Sequence, residues 1–409
     1  MGASFGKAQR NDDLEPGELP DYNHRRSTKD GEGIDVCGFR RDRFICVGRI
    51  ADRYCLCARA LSSERALFSL SKVGRGIRLQ SGLKKIGVLF VCLLLCALSG
   101  CKEMNMAAEN EGVAYTVTDM QGTVVKMPAK PQRILTMSMS TDEIMLGVVE
   151  PERMAAVNAM LDDPASSNVV ELGQKVPTKI RYPSVEEIAG LQPDLVIIPD
   201  WGDLSRVDAL RDLGIPVVVC KGPRSLQDVK ETITMLSQAA GEPQRGQVLL
   251  QKMDDKLAEI AAKVQEIPQE KRRSVVLISL MKGYGGAGCC FDEACQLAGV
   301  VNGRAAAGIK NGEEMSKEKL VEINPDILFL PTYNNHGKFD INRFRSEYMD
   351  DPSLKNMRAI QQGNLIEPDE GYIYNCSQDF VFAVQEIAYR VYGDRFALQA
   401  QQHLTAVDD

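Results

Sequence analysis

Aromatic side chains follow several of the predicted strands, and flat aromatic rings are suited to stacking on a large planar ligand. Trp201, the single tryptophan of the chain, follows the apolar run Leu195–Pro199 and stands beside Gly202 and Asp203. Ligands of open α/β sheets bind beyond the carboxyl ends of the strands, so we expect Trp201 to face a cleft. Five tyrosines either stack on the same ligand or cap loops: Tyr182, Tyr284, Tyr333, Tyr372 and Tyr374.

Polar and sulfur-bearing side chains stand at comparable positions after strands. They are Met137, Ser138, Lys221, Arg224 and Lys282. Cations at such positions bind an anionic ligand through charge-assisted hydrogen bonds. The alternative for the three cations is a solvated place on the surface.

The composition excludes several classes of function. Residues 1–100 carry 17 Lys and Arg against 11 Asp and Glu, whereas residues 101–409 carry 32 against 45. An acidic body lacks the clustered cations that bind phosphates, so no nucleic acid is expected as a partner. His24, His336 and His403 are too scattered for a histidine-rich metal site. No Ser-His-Asp elbow or phosphate-binding glycine motif is present, so we expect neither an enzyme nor a resident metal or cofactor.

The elements that must position these residues alternate between strands and helices. The predicted strands are Arg133–Met137, Leu195–Ile198, Val217–Cys220 and Val275–Leu280, after a hairpin-like start at Tyr115–Val125. Helical spacing covers Arg206–Leu213, Ser225–Ala240 and Gln244–Val264, and Ser140–Glu143 is predicted to cap the helix after the first strand. The longest helix is predicted to place one apolar face inward, made of Val248, Leu249, Met253, Leu257, Ile260 and Val264.

An internal repeat organises the chain between residues 184 and 331. Residues 184–199 (SVEEIAGLQPDLVIIP) align without gaps with residues 316–331 (SKEKLVEINPDILFLP). Each copy predicts a serine N-cap, a short helix, a Pro-Asp turn and a buried strand. The repeat therefore predicts two α/β lobes that share one unit, with the helical stretch 225–266 between them.

A secretory signal is predicted at residues 84–101. Lys84 and Lys85 precede the almost entirely apolar run Ile86–Leu98, and Ser-Gly-Cys follows. A charged start, a short apolar run and a small-residue cleavage site make up such a signal. The run is too short to span a membrane, which takes about 20 residues. Its end resembles the bacterial lipobox, in which the cysteine, here Cys101, is lipidated and becomes the first mature residue.

These features divide the chain into segments. Residues 1–83 are Arg-rich without a sustained apolar period, and we interpret them as an upstream extension from a misassigned start site. Residues 102–112 are small and polar, which suits a flexible tether. Residues 113–241 are predicted to form the N-terminal lobe, 242–268 the connecting helix and 269–409 the C-terminal lobe.

Several short motifs stand in a fixed order along residues 131–326. They are Pro131-x-Arg133-Ile134-Leu135 with Ser138-x-Ser140-x-Asp142-Glu143, Glu186-x-Ile188-x-x-Leu191-x-Pro193-Asp194-Leu195-Val196, Leu213-Gly214-Ile215-Pro216-Val217, Ala298-Gly299-Val300-Val301-Asn302, and Ser316-x-Glu318-x-Leu320 before Pro325-Asp326. In this order they resemble the helical-backbone substrate-binding proteins of bacterial ABC importers. The resemblance implies an α/β fold of two Rossmann-like lobes with mainly parallel sheets, joined by one long rigid helix, with the ligand cleft between the lobes.

The resemblance also implies a function. Such a protein is a monomer, anchored by its lipid to the outer face of the cell membrane, that delivers its ligand to an ABC permease dimer with cytoplasmic ATPase subunits. The rival class is a metal chelatase-like enzyme of similar two-lobed architecture. Chelatases need a His/Glu pair or a cysteine-ligated cluster at the metal site, and here His336 has no partner histidine.

The family delivers cobalamin, iron–siderophore complexes or haem, and a corrinoid is the ligand we expect. An aromatic cleft with few charges suits a corrin ring, whose amides need hydrogen bonds rather than salt bridges. Reverse translation of residues 6–8 and 15–20 permits the conserved boxes of a cobalamin riboswitch leader, which favours the same ligand. A ferric siderophore or haem remains the alternative, and Lys221, Arg224 and Lys282 would suit an anionic siderophore. His336, Met137 or Met139 either ligates cobalt or haem iron or serves as a loop residue or core filler.

Two glutamates occupy equivalent places in the repeat. Glu186 and Glu318 each stand two residues after the serine N-cap, where a carboxylate stabilises the helix dipole. In the family these positions match glutamates that meet arginines on the two permease subunits. We therefore expect Glu186 and Glu318 to dock the two lobes on the permease.

Five cysteines follow Cys101: Cys220, Cys289, Cys290, Cys295 and Cys376. In an exported protein, an odd number leaves at least one unpaired. Either Cys289 or Cys290 pairs with Cys295, or all of them act as small hydrophobic residues.

Overall fold

The structure, a computed structural model, describes residues 114–333, 338–398 and 402–407. The predicted upstream extension, the signal peptide with Cys101 and the tether lie outside the described residues, and so does His336. Within the described ranges, no helix is both long and apolar enough to cross a bilayer.

Strands form where the sequence has short apolar runs. Their bounds are β1 Tyr115–Thr118, β2 Val124–Met127, β3 Ile134–Thr136, β4 Met154–Asn158, β5 Lys179–Ile180, β6 Leu195–Pro199, β7 Val217–Cys220, β8 Ser274–Leu277, β9 Val301–Asn302, β10 Ile327–Phe329 and β11 Leu365–Ile366. Strands β1 and β2 pair antiparallel, which confirms the predicted hairpin.

The remaining strands form two parallel sheets, one in each lobe. The N-terminal sheet has the order β5-β4-β3-β6-β7, and the C-terminal sheet has the order β11-β10-β8-β9. Every residue of β6 and β7 is buried, because helices cover both faces of the sheet. This arrangement confirms the predicted α/β fold with two lobes.

Helices connect the strands and cover the sheets. Their bounds are α1 Met139–Val148, α2 Val170–Gln174, α3 Val185–Gly190, α4 Ser205–Asp212, α5 Leu226–Ala239, α6 Pro243–Gln265, α7 Cys290–Leu297, α8 Gly303–Ala306, α9 Lys317–Ile323, α10 Ile341–Met349, α11 Arg358–Gln361, α12 Glu370–Ile373 and α13 Phe380–Tyr392, with short 3-10 turns at Pro151–Arg153, Ala159–Asp162, Gln269–Lys271 and Asp394–Phe396. The predicted cap of α1 is wrong by two residues. Ser138 is the N-cap, and its side chain accepts a hydrogen bond from the Thr141 amide.

The long helix α6 joins the two lobes. It packs against α1 and α5 of the N-terminal lobe and against α13 of the C-terminal lobe. Leu249, Met253, Ile260 and Val264 are buried as predicted, but Val248 is 37% exposed. The reason is the helical period: Val248 lies about 100° around the helix from Leu249, outside the inward stripe. Contacts with both lobes oppose bending of α6.

The repeated units fold alike. Ser184 caps α3 and Ser316 caps α9, and each helix leads into a buried strand, β6 or β10. Asp194 accepts hydrogen bonds from the Arg133 and Gln132 amides before β3. Asp326 accepts one from the Ser274 amide at the start of β8. In each copy, the aspartate of the Pro-Asp turn therefore links the repeated unit by hydrogen bonds to the start of the first strand of its sheet.

Buried hydrogen bonds join the lobes next to α6. The Asn375 amide donates to Glu143 on α1 at 2.7 Å, and the Asn168 amide donates to Asp379 at 2.7 Å. Residues 402–407 run along the same seam, where the Ala406 amide donates to the Gly147 carbonyl. We call this region the lobe seam, and it consists of Glu143, Asn168, residues 375–379 and residues 402–407.

Candidate functional site

The carboxyl end of the N-terminal sheet places Trp201 directly over Gly222. A Cβ atom on Gly222 would lie 2.2 Å from Cδ1 of the Trp201 ring, so only glycine allows this approach. Asp200 supports the arrangement by accepting a hydrogen bond from the Gly222 amide at 2.8 Å. Trp201 is nevertheless 47% exposed. A ring that is held at its Cδ1–Nε1 edge and is about half exposed can stack on a ligand.

Tyr182 and Tyr333 come from different lobes, and the Arg181 side chain lies near both of them. The Cζ of Arg181 lies 5.8 Å from the centre of the Tyr182 ring, and its positive charge also acts on the Tyr333 hydroxyl, where it lowers the pKa but is outweighed by burial. Burial raises the pKa of Tyr333, which keeps its hydroxyl protonated. Tyr182 has a φ of 54°, a conformation that non-glycine residues adopt mainly where the surrounding structure enforces it.

Arg181 was not among the site residues predicted from the sequence. This residue follows β5, whose two residues, Lys179 and Ile180, carry too weak an apolar signal to mark a strand. Its position directly before Tyr182, a predicted ligand-binding residue, is the one sequence feature that could have indicated it. With Arg181, the cleft has a cation that reaches from the N-terminal lobe to a tyrosine of the C-terminal lobe.

The structure brings Tyr284 and Tyr374 together in the C-terminal lobe. Their ring centres lie 5.1 Å apart, and the Tyr374 hydroxyl bonds the Ser279 hydroxyl at 2.8 Å. Burial raises the pKa of both tyrosines, so both hydroxyls are neutral. The Tyr284 hydroxyl is buried and has no hydrogen-bond partner among the described residues. It is thus a polar group that a ligand atom or a water molecule could satisfy.

Tyr372 occupies a different environment from the other predicted tyrosines. It is 3% exposed, packs edge-on against Phe382 and accepts a hydrogen bond from the Gln402 amide at 2.7 Å. Although it follows β11, the turn of α12 carries its ring into the core. Tyr372 therefore supports the lobe seam in this structure.

The predicted cations lie at the surface. Lys221 is paired with Asp228 and lies 4.0 Å from Glu231, so its charge is already balanced by acids of α5. Arg224 and Lys282 are exposed. This placement agrees with the solvated alternative that the sequence left open for them.

Met137 and Ser138 differ in what remains available to a ligand. Met137 is half-buried against the sheet core, whereas Ser138 is buried and its hydroxyl caps α1. Met139 packs against the main core. Among the described residues, no three His, Cys, Asp or Glu side chains are grouped so as to hold a metal ion.

The five cysteines that follow Cys101 are all free thiols. Of the two alternatives that the sequence left open, the pairing of Cys289 or Cys290 with Cys295 is not present in the structure. Cys295 is fully buried on α7, where it packs in the core as a small hydrophobic residue.

Glu186 and Glu318 are exposed in the first turns of α3 and α9. Hydrogen bonds from each glutamate's own amide and from the capping serine hold the pKa of both carboxyls below its usual value. Both are therefore negatively charged at neutral pH. Each lobe presents one such carboxylate at the same position of its repeat.

Ionisable groups are buried in the lobe seam below the cleft. Burial and the nearby Asp379 raise the pKa of Glu143 to about 8. His403 lies 2.7 Å from Asp379. Burial alone would lower the pKa of His403, but Asp379 and Glu143 outweigh it and raise the pKa. Glu143 and His403 therefore bind their protons more tightly in the folded protein than in the unfolded chain.

The sequence profile of the periplasmic binding protein family matches residues 134–372 of the chain. The chain is 23% identical over 329 residues to the uncharacterized ABC transporter substrate-binding lipoprotein YvrC of Bacillus subtilis strain 168, which covers 77% of this chain and 99% of YvrC. It is 23% identical over 311 residues to the probable siderophore-binding lipoprotein YfiY of the same strain, over 70% of this chain and 91% of YfiY.

A third relative is the cobalamin-binding protein of Halobacterium salinarum strain ATCC 29341, 26% identical over 218 residues, which are 52% of this chain and 57% of that protein. Among solved structures, the chain resembles the periplasmic haem-binding protein RhuT of Roseiflexus sp. RS-1 in its apo form. The TM-score is 0.54 and the identity 23%, over 64% of this chain and 98% of the other. This likeness concerns the fold.

Proposed function

The chain belongs to the periplasmic binding protein family, and from this we propose that it is the lipid-anchored substrate-binding protein of an ABC importer and that its ligand is a corrinoid. Members of this family bind solutes for transport and are not enzymes. The carboxyl ends of the two sheets carry aromatic rings, with Trp201 after β6 and Tyr333 after β10.

The observation that carries the corrinoid proposal is the fixed but half-exposed ring of Trp201 over Gly222. A ring that is held in place and half exposed presents a flat apolar surface of the kind that binds a macrocycle. The neutral hydroxyls of Tyr284 and Tyr333 add hydrogen-bonding groups without charge. A corrin ring with peripheral amides matches a surface of this kind. The cobalamin-binding relative from Halobacterium supports the same ligand class.

A ferric siderophore or haem is the second candidate, and Arg181 is the observation that favours it. Its guanidinium lies against Tyr182 and Tyr333 and would bind a carboxylate or catecholate of an anionic ligand. Lys221 contributes little to this alternative, because Asp228 already balances its charge.

Equilibrium dialysis of the purified chain against cobalamin, cobinamide, haem and a ferric siderophore tests the function. We expect the corrinoids to be retained at micromolar concentration. If only the siderophore or haem were retained, the proposed role in transport would stand, but the proposed corrinoid ligand would be wrong. Retention of none of the four would contradict both.

The partners follow from the proposed function. Glu186 and Glu318 are proposed to contact basic residues on the two subunits of the permease dimer, because both carboxylates are charged, exposed and equivalently placed. A monomeric binding protein with two such lobes matches a twofold partner. ATPase subunits on the cytoplasmic side complete the importer.

Anchoring is proposed from the lipobox that ends at Cys101. We expect membrane-extracted protein to begin at Cys101 and to carry acyl chains, since each buried CH₂ group contributes about 0.8 kcal/mol to membrane binding. Intact mass measurement checks this. A Cys101→Ala protein that still carried acyl mass would contradict the proposal.

A further inference from the structure

An acidic side chain of the C-terminal lobe binds the start of a helix of the N-terminal lobe. A carboxylate oxygen of Glu293, on α7, accepts a hydrogen bond at 2.6 Å from the amide of Leu226, the first residue of α5. Beside this contact, the Cys290 thiol lies 3.5 Å from the Pro223 carbonyl oxygen. The first amides of an α-helix have no acceptor within the helix, so Glu293 provides one from the other lobe. A carboxylate at this end of a helix also interacts favourably with the helix dipole.

In the N-terminal lobe, the contact leads to Trp201. Residues 222–226 run from Gly222, next to the Trp201 ring, to Leu226. The ring is so close that a Cβ atom on Gly222 would lie 2.2 Å from its Cδ1 atom. A shift of residues 222–226 would therefore change the surroundings of the Trp201 ring.

In the C-terminal lobe, the contact leads to Tyr284. The loop that carries Tyr284 continues directly into α7, which begins at Cys290. Asp292, the residue before Glu293, accepts a hydrogen bond from the Gly288 amide of this loop at 3.2 Å. The loop and the start of α7 are therefore joined by the chain and by a hydrogen bond.

We propose that Glu293 is a positioning residue of the ligand site, which holds the cleft wall that carries Trp201 against the cleft wall that carries Tyr284. The proposal rests on the proposed function, because these two rings are proposed to bind the ligand. Glu293 acts through other residues: through Leu226 and residues 222–226 on one side, and through α7 on the other.

This contact is separate from the lobe seam. Glu293 is half-buried, whereas Glu143 and Asp379 of the seam are 3% and 0% exposed. Its hydrogen bond to an amide is charge-assisted and therefore stronger than a neutral one. Because α6 and the seam still join the lobes, loss of the Glu293 contact should loosen the cleft walls without unfolding the protein.

Amide hydrogen exchange, measured by NMR on the chain without ligand, tests the proposal at the Leu226 amide itself. In Glu293→Ala, this amide should exchange faster by on the order of tenfold or more, because a charge-assisted hydrogen bond is lost. The Asp228 amide should exchange as before, since the Ser225 hydroxyl of the same lobe accepts its hydrogen bond at 3.1 Å. The emission of Trp201 should shift, and its quenching by acrylamide should increase.

Three further variants separate the length of the side chain from its charge. Glu293→Asp keeps the charge but is one CH₂ group shorter, so it should behave like Glu293→Ala. Glu293→Gln keeps an oxygen at the same distance from the backbone and should restore most of the protection of the Leu226 amide. Ser225→Ala is the crossed control and should speed exchange at Asp228 but not at Leu226. If Glu293→Ala failed to fold, the comparison of Glu293→Asp with Glu293→Gln would decide the question.

Three results in the chain without ligand would overturn the proposal. The first is unchanged exchange at Leu226 in Glu293→Ala and Glu293→Asp. The second is equally faster exchange at amides throughout both lobes, which would mean that Glu293 only supports the fold. The third is faster exchange at Leu226 with unchanged emission and quenching of Trp201, which would mean that the contact does not affect the cleft wall.

Titration with cobalamin then measures the effect on the site. Glu293→Ala should bind cobalamin about tenfold more weakly than the unmodified chain, and equal affinity would overturn the proposal. If the unmodified chain did not bind cobalamin, the proposed ligand would be wrong. The exchange and emission measurements need no ligand, so they would still decide whether Glu293 joins the two walls.

Discussion

Gln192 and Asn324 lie 132 positions apart and adopt the same left-handed backbone conformation, with φ of 49° and 47°. Each follows the repeated helix, α3 or α9, and reverses the chain before the Pro-Asp turn. In both lobes an arginine closes this corner: Arg133 donates to the Gln192 carbonyl and Arg358 to the Asn324 carbonyl. A strained conformation kept in both copies fixes each short helix, and with it Glu186 or Glu318, against its sheet.

The matched helices lead to a prediction about transport. Glu186→Gln together with Glu318→Gln should leave ligand affinity unchanged and reduce uptake into vesicles containing the permease by on the order of tenfold or more, because two charge contacts are lost. Rising salt should reduce uptake by the unmodified protein in the same direction, since exposed charges are screened.

The control for this prediction makes the same charge change elsewhere. Glu171 and Glu347 are exposed acids, one in each lobe, outside the repeated units. Glu171→Gln with Glu347→Gln should transport normally. Equal uptake by both double variants would mean that Glu186 and Glu318 do not contact the permease and only stabilise the first turns of α3 and α9.

Gly222 provides a test of the aromatic site. In Gly222→Ala the new Cβ would overlap Cδ1 of Trp201, so the ring must move. We expect shifted tryptophan emission and a loss of ligand affinity of about tenfold, or about 1.4 kcal/mol. Gly190→Ala is the matched control, because a Cβ there meets no atom within 4 Å. Unchanged emission and affinity in Gly222→Ala would show that Trp201 does not depend on this contact.

The lobe seam predicts a pH dependence of stability. Glu143 has a pKa of about 8 in the folded protein against its ordinary value of 4.5, so between these values the folded state holds a proton that the unfolded chain has lost. The free energy of unfolding should therefore fall as pH rises through this window, by up to about 1.4 kcal/mol per pH unit for this proton. The raised pKa of His403 acts in the same direction above its ordinary value of 6.5.

Urea denaturation at several pH values measures this slope. Glu143→Gln resembles the protonated acid, so the variant should lack the part of the slope that comes from the Glu143 proton. Glu171→Gln, an exposed acid on α2, should not change it. An identical slope in Glu143→Gln and the unmodified protein would contradict the account of the seam.

The repeat and the buried strands were predictable because their signals are local. Apolar runs such as Val217–Cys220 and the Ser–Glu–Pro–Asp pattern determine strands and caps over a few residues. The face of α6 was predicted apart from Val248, which lies one position from the inward stripe. The first cap was misplaced because Ser138 and Ser140 both fit the capping pattern.

The site was less predictable, because it depends on contacts between distant segments. Arg181 reaches Tyr333 across the lobes, and the short strand β5 before it has no clear sequence signal. Tyr372 turns into the core although it follows a strand, since α12 begins at once.

Fluorescence of Trp201 during titration with cobalamin tests the central claim most directly, because the chain has a single tryptophan. Free N-acetyltryptophanamide corrects for absorption by the corrinoid. We predict saturable quenching by cobalamin with a dissociation constant of about 1 µM or below, a binding free energy of at least about 8 kcal/mol, and no saturable quenching by ferric siderophores or haem. Saturable quenching by a ferric siderophore or haem, with none by cobalamin, would contradict the corrinoid assignment.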